Sequence, residues 1–270
     1  MKTFAVILLV GLSGTVVKAD PTVIVGSKKF TESYVLGEIA KRAIENTGME
    51  IDFRPGMGGT IIVWEALRTG RITLYPDYTG TIVEEILKRP ELQSDDAIRE
   101  ALAPFGVGMT RELGFNNTWA LVMRRASAQA ANVRAISDLR AHPELRFGLT
   151  HEFLDRRDGW PPLVQRYQLG GQNVRGIDHA LGYEALSKSE IDVKDAYSTD
   201  AKIAQNDLVT LVDDLHFFPQ YKAVFLYRLD APSKAIEALR HIEGTLDEQR
   251  MRRLNSEAEQ MKDYRRAAAL

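Results

Sequence analysis

Four segments place a Tyr or Trp among turn residues beside an expected strand end: YPDYTGT (75–81), NNTWAL (116–121), DAYSTD (195–200) and FFPQY (217–221). A ring on a loop, off any apolar stripe, is free to turn its face toward a cleft. Several such faces make a box for a quaternary ammonium, which has no N–H to donate and is held by ring quadrupoles worth about 0.5–2 kcal/mol each when desolvated. Taken alone, the same placements also fit scattered core or rim aromatics. The remaining chemistry-bearing residues are less pointed. The five His residues (142, 151, 179, 216 and 241) are dispersed, with no pair at metal-ligand spacing. The absence of Cys removes disulfides, thiolate nucleophiles and Cys-based metal sites together. There is no G-x-S-x-G, H-E-x-x-H, Walker loop or G-x-G-x-x-G. The run Pro55-Gly56-Met57-Gly58-Gly59-Thr60 could present backbone N–H groups to an anion, but a tight strand-to-helix turn accounts for it as well and is the reading taken here.

The elements that must position these residues alternate in type. Short apolar runs at 22–25, 49–53, 72–75, 119–123, 146–149, 193–197 and 223–227 read as strands. Between them, stripes at helical spacing predict helices over 31–47, 60–68, 80–88, 95–103, 159–169, 182–187 and 199–205. Residues 233–264 read as two packing helices. This alternation is α/β organisation, and 270 residues allow one large domain or two modest ones. With 35 Lys and Arg against 37 Asp and Glu, no basic footprint points to nucleic acid or an anionic membrane.

The N-terminus reads as an export signal. Lys2 precedes the apolar run FAVILLVGL (4–12), which is too short to span a bilayer, and Val17 and Ala19 sit three and one before an expected cleavage point. The mature chain is expected to start at Asp20, and losing Lys2 and Lys18 takes the formal charge from −2 to −4. With no Cys after the apolar run, a lipid anchor is not expected, so the product should be a soluble periplasmic protein.

Six segments in order, GSKKFTES (26–33), YPDYTGT, NNTWAL, EFLDRRDGW (152–160), DAYSTD and DDLHFFPQY (213–221), resemble the substrate-binding proteins of osmoprotectant ABC transporters. These are the receptors for glycine betaine, carnitine, choline and proline betaine, and the resemblance covers nearly the whole mature chain. It implies an α/β type II periplasmic-binding-protein fold with the ligand between two lobes, residues 20–117 plus 223–270 forming one and 118–222 the other. Position by position, it implies that Tyr78, Trp119, Tyr197 and Tyr221 form the aromatic cage, and that Lys28, Thr81 and Arg156 hold a ligand carboxylate. Trp119 stands where Tyr is usual, and Gln220 where Pro is common. The resemblance further implies a monomer that works with an ABC permease, without cofactor, metal or catalysis. Other readings remain beside it: a trimethylammonium zwitterion such as ergothioneine, or an enzyme using Asp77, Asp195 or Asp200 in the same cleft. Lys28 and Arg156 could also be surface charges, or partners of Asp77 and Asp195, which would weaken the pull on a carboxylate and bring choline level with betaine.

Overall fold

The computed structural model describes residues 22–269, and the expected signal peptide, residues 1–19, lies outside the described residues. The chain first builds β1 (Val23–Gly26), α1 (Thr31–Glu45), β2 (Ile51–Arg54), α2 (Thr60–Arg68) and β3 (Leu74–Tyr78). A short α3 (Thr79–Thr81) runs into a π-helical turn, Ile82–Ile86, followed by α4 (Asp95–Leu102) and β4 (Val107–Met109). The chain then crosses into β5 (Trp119–Arg124), α5 (Arg125–Ala130), β6 (Arg146–Thr150), α6 (His151–Asp155) and α7 (Trp160–Tyr167). It continues through β7 (Asn173–Ile177), α8 (His179–Ser187), β8 (Val193–Tyr197), α9 (Ala201–Gln205) and β9 (Leu208–Thr210). It returns through β10 (Ala223–Arg228) and ends in α10 (Ser233–Arg240), α11 (Glu248–Met261) and α12 (Tyr264–Ala267).

Two five-stranded sheets result, ordered β2-β1-β3-β10-β4 and β7-β6-β8-β5-β9. They share one plan. In each, a parallel core (β2-β1-β3, β7-β6-β8) is joined on one side by an antiparallel strand that arrives from the other sheet, β10 in the first and β5 in the second. The central strands have helices to cover them, so they read as nearly unbroken apolar runs. α1 buries Val35, Leu36, Ala40 and Ile44 on one stripe, each large apolar side chain stabilising by roughly 1.5–3 kcal/mol. The two segments that cross between the sheets lie side by side. Asn116 bridges Lys222, the Asn117 N–H donates to the Tyr221 carbonyl at 2.9 Å, and the Tyr221 N–H donates to Asn116 Oδ1 at 2.7 Å. The C-terminal α11 touches α1 of the first lobe and α9 of the second.

The expected helix over 80–88 is not one α-helix: after α3 it opens into the π-helical turn, which buries Ile82 and Val83 in succession. The helix expected at 182–187 begins earlier, because Asp178 caps it through the Ala180 N–H.

Candidate functional site

Each aromatic residue singled out above stands at a strand end facing the gap between the lobes. Tyr78 ends β3, Tyr197 ends β8, and Trp119 opens β5, where the register sets it directly opposite Tyr197. Tyr221 precedes β10, whose first residue, Ala223, pairs with Tyr78. Lys28 lies between β1 and α1, and Arg156 caps the C-terminus of α6 just beyond β6. In open α/β sheets, ligands bind outside the carboxyl ends of the parallel strands, and these positions are such ends in both lobes.

All seven expected residues, Lys28, Tyr78, Thr81, Trp119, Arg156, Tyr197 and Tyr221, line one cavity, together with Phe30, Asn117 and Glu152. The space is small, about 20 Å3, against roughly 10–15 Å3 for one water. A groove between α1 and α12 is larger, about 550 Å3, but it is lined by mixed charges and presents no ring.

One wall is aromatic. Ring centroids of Tyr78 and Phe30 lie 6.4 Å apart, Phe30 and Tyr197 5.0 Å, and Tyr197 and Trp119 4.8 Å. Behind Tyr197, the His179 ring stacks at 4.7 Å and 22°. The Tyr78 hydroxyl is turned away, donating to Glu32 Oε1 at 2.6 Å. That buried carboxylate also receives Asn117 Nδ2 (2.8 Å), Thr199 Oγ1 (2.5 Å) and Asn255 Nδ2 (2.9 Å), so it joins both lobes, a crossing segment and α11. Burial pushes the Glu32 carboxyl above its ordinary pKa despite these donors. Tyr221 packs on Gly80, where a Cβ would meet its ring at 2.6 Å; no larger residue fits there.

The other wall is charged, and each of its cations is paired within it. Lys28 Nζ sits 2.6 Å from Asp77 Oδ1 and donates to Thr60 Oγ1 at 3.2 Å. Arg156 grips Asp158 with Nε at 2.6 Å and with Nη2, and Asp158 Oδ2 also takes the Tyr221 hydroxyl at 2.5 Å. Arg156 Nη1 reaches Glu152 Oε1 at 3.3 Å and Thr81 Oγ1 at 3.4 Å. Burial alone would lower the Arg156 pKa, but the Asp158 pair outweighs it and raises it. Glu152 is likewise pushed up by burial, but Lys28 and Arg156 hold it below the usual carboxylate range. Lys28 thus does pair with Asp77, whereas Arg156 pairs with Asp158 and not with Asp195, the correction being that Asp195 is taken by the Thr150 N–H (2.7 Å) and hydroxyl (2.8 Å). Asp200 accepts from Tyr183 OH at 2.6 Å and meets His179 Nε2 at 2.9 Å. Asp77, Asp195 and Asp200 are all engaged in the framework, and none lines the cavity. Among the described residues, no three His, Asp or Glu side chains gather as a metal site.

Phe30, Glu152 and Asp158 were missed in the sequence, although each lies inside a quoted segment. Phe30 immediately precedes the helix expected over 31–47, and no helix was expected where α6 stands.

Residues 21–270 match the family described as the substrate binding domain of ABC-type glycine betaine transport system. The chain belongs to this family. The substrate-binding domain is similar to the ergothioneine transport permease/ergothioneine binding protein EgtU of Helicobacter pylori (strain G27), 32% identical over 90% of the chain. The match covers 45% of that relative's length. It is also similar to the carnitine transport binding protein OpuCC of Listeria monocytogenes, 29% identical over 93% of the chain and 84% of the relative. Among solved structures, a glycine betaine/carnitine/choline ABC transporter protein aligns with a TM-score of 0.72 and 26% identity, over 92% of this chain and 96% of that one. Lactococcal OpuAC, in a closed conformation with glycine betaine, shares the fold at a TM-score of 0.64 and 13% identity, over 93% and 94% of the two chains. The fold is therefore that of type II periplasmic binding proteins. No helix among the described residues is long and apolar enough to cross a membrane.

Proposed function

We propose that this domain is an extracytoplasmic receptor that closes its two lobes on a small quaternary-ammonium osmolyte, such as glycine betaine, choline or carnitine, and delivers it to an ABC permease. The observation that carries this reading is the aromatic wall. Phe30, Tyr78, Trp119 and Tyr197 offer ring faces to one small space, with the Tyr78 hydroxyl engaged elsewhere. Tyr221 completes the cage, and Lys28, Thr81 and Arg156 form its polar end. The protein acts as a monomer, and its lobes, 22–117 with 223–269 and 118–222, move about the paired crossing segments. Catalysis and nucleic acid have no part in it.

Micromolar binding requires about −8 kcal/mol net, within reach of three or four desolvated ring faces and a paired polar end after ordering costs. A ligand that binds only the folded state raises the melting temperature. The test is a thermal-shift screen of the mature protein with choline, glycine betaine and carnitine, followed by calorimetry. A shift with at least one supports the reading; no shift with any at millimolar ligand rejects it.

A specific observation favours a second ligand in the same class. A neighbouring hollow of about 180 Å3 shares Lys28, Phe30, Glu152 and Tyr197 with the cavity and adds His151, Asp178 and His179. That chamber gives room for a polar ring beyond the ammonium, as in ergothioneine, the solute named for the Helicobacter relative. Ergothioneine belongs in the same screen, and a shift smaller than that of choline would set it aside.

A further inference from the structure

Glu152 is the one carboxylate among the residues that line the cavity directly. It comes from α6 of the second lobe and meets the first lobe across the gap, where the Thr60 hydroxyl donates to Oε1 at 2.5 Å. Arg156 Nη1 approaches the same oxygen at 3.3 Å. Among the described residues, no donor is bonded to Oε2. The side chain is 30% exposed although its neighbours on this wall, Arg156 and Asp158, are almost fully buried. It also lines the adjoining chamber, so it stands where the cage gives way to the space for a ligand's tail. Oε2 faces Gly59, where a Cβ would meet it at 3.4 Å, and Gly59 lines the adjoining chamber.

The local charge points the same way. Lys28 and Arg156 face Asp77, Asp158 and Glu152, an excess of one negative charge around the cavity. A ligand carboxylate entering here meets cations already paired and an acceptor that repels it, whereas a hydroxyl or N–H meets a carboxylate oxygen that lacks a donor.

We propose that Glu152 determines which quaternary amine the site takes, its Oε2 accepting a hydrogen bond from a donor on the ligand's tail, so that hydroxyl- or N–H-bearing ligands are favoured over one whose tail is a carboxylate alone. This rests on the quaternary-ammonium reading above. Hydrogen bonds to charged groups are the stronger ones, and losing one typically costs about ten- to a hundredfold in affinity.

The experiment titrates three probes, choline, choline O-methyl ether and glycine betaine, into wild type, Glu152→Gln and Thr60→Val, with the melting temperature of each variant checked first. Choline and its ether carry the same charge and differ in the donor. Wild type should prefer choline to the ether by at least about tenfold. Glu152→Gln should bring that ratio to within about threefold and leave glycine betaine binding unchanged or improved. Thr60→Val removes the contact between lobes together with the Lys28 contact to the same hydroxyl and should weaken all three probes by a similar factor. If Glu152→Gln also weakens all three equally, Glu152 is a clasp between the lobes and reads no ligand. If wild type binds choline and the ether alike, the proposal fails while the quaternary-ammonium reading stands. If folded wild type binds none of the three, both fail.

Discussion

The aromatic wall and the charged wall of the cavity are drawn from the same strand ends, yet they are held in opposite ways. The rings form a run of near neighbours from Tyr78 through Phe30 and Tyr197 to Trp119, continued by Phe153 at 4.8 Å from Trp119. They are backed by His179 and by the buried Glu32 hub, and they line the cavity together. Across from them, Lys28 and Arg156 spend their charge on Asp77, Asp158 and Glu152. Even so, Arg156 Cζ lies 5.7 Å from the Trp119 ring centroid and Lys28 Nζ 5.8 Å from that of Tyr78, so each wall also orders the other. The proposed reading divides the labour between them: ring faces would attract a cation, and a polar wall whose cations are already paired would set shape and selectivity.

The largest effect should come from the polar wall. Arg156→Met strands Asp158, which is buried and shared with the Tyr221 hydroxyl. Breaking a buried pair from one side costs about 3–5 kcal/mol, so denaturant unfolding should register a loss of that order. Glycine betaine binding should weaken more than choline binding, since choline brings no carboxylate. Equal losses for both ligands would assign Arg156 to the lobe interface alone.

The aromatic wall should respond next. Tyr197→Ala removes a central ring and opens the run to water, at a cost of roughly 1–3 kcal/mol in binding. Tyr197→Phe keeps the face and should cost far less by calorimetry. If the two variants were equally damaging, the hydroxyl would be the contact.

The smallest effect concerns pH and the support behind Tyr197. Burial alone would raise the Asp200 pKa, but His179, the Tyr183 hydroxyl and the Tyr197 N–H hold it below the ordinary value. A depressed carboxylate stabilises the fold above its unfolded pKa, near 4, and that stability is lost as pH falls through the lower folded value. Melting temperatures of wild type should therefore drop more steeply below pH 4 than those of Asp200→Asn. Parallel curves would detach Asp200 from the cage support.

Much of the framework was legible because central strands such as β1 and β5 are unbroken apolar runs and α1 carries a clear stripe. Of the edge strands, β2 was expected, and the other three were not. β4 and β9 are three residues long, and β7 has Arg175 and Gly176 where a buried strand would be apolar; an edge has one neighbour and needs less hydrophobicity. Lys194 and Asp195 are fully buried in β8, a placement set by tertiary partners: Thr150 for Asp195, and for Lys194 the Tyr183 ring at 4.5 Å. The loop aromatics stood out because they left the apolar pattern, and the ordered motifs gave them a common destination. The pairing of the charges was not readable, since Arg156 had several acids within reach along the chain, and only the fold brings Asp158 and Tyr221 onto the same guanidinium.

The central claim is that ring faces hold a positive charge. It is tested most directly by titrating wild type with choline and with 3,3-dimethylbutanol, its neutral isostere with carbon in place of nitrogen. Four faces at the low end of about 0.5 kcal/mol each give about 2 kcal/mol, or roughly thirtyfold. The account requires choline to bind at least that much more tightly. Equal affinities would mean that the wall is an apolar pocket of the right shape and that the charge of the ligand is not what it reads.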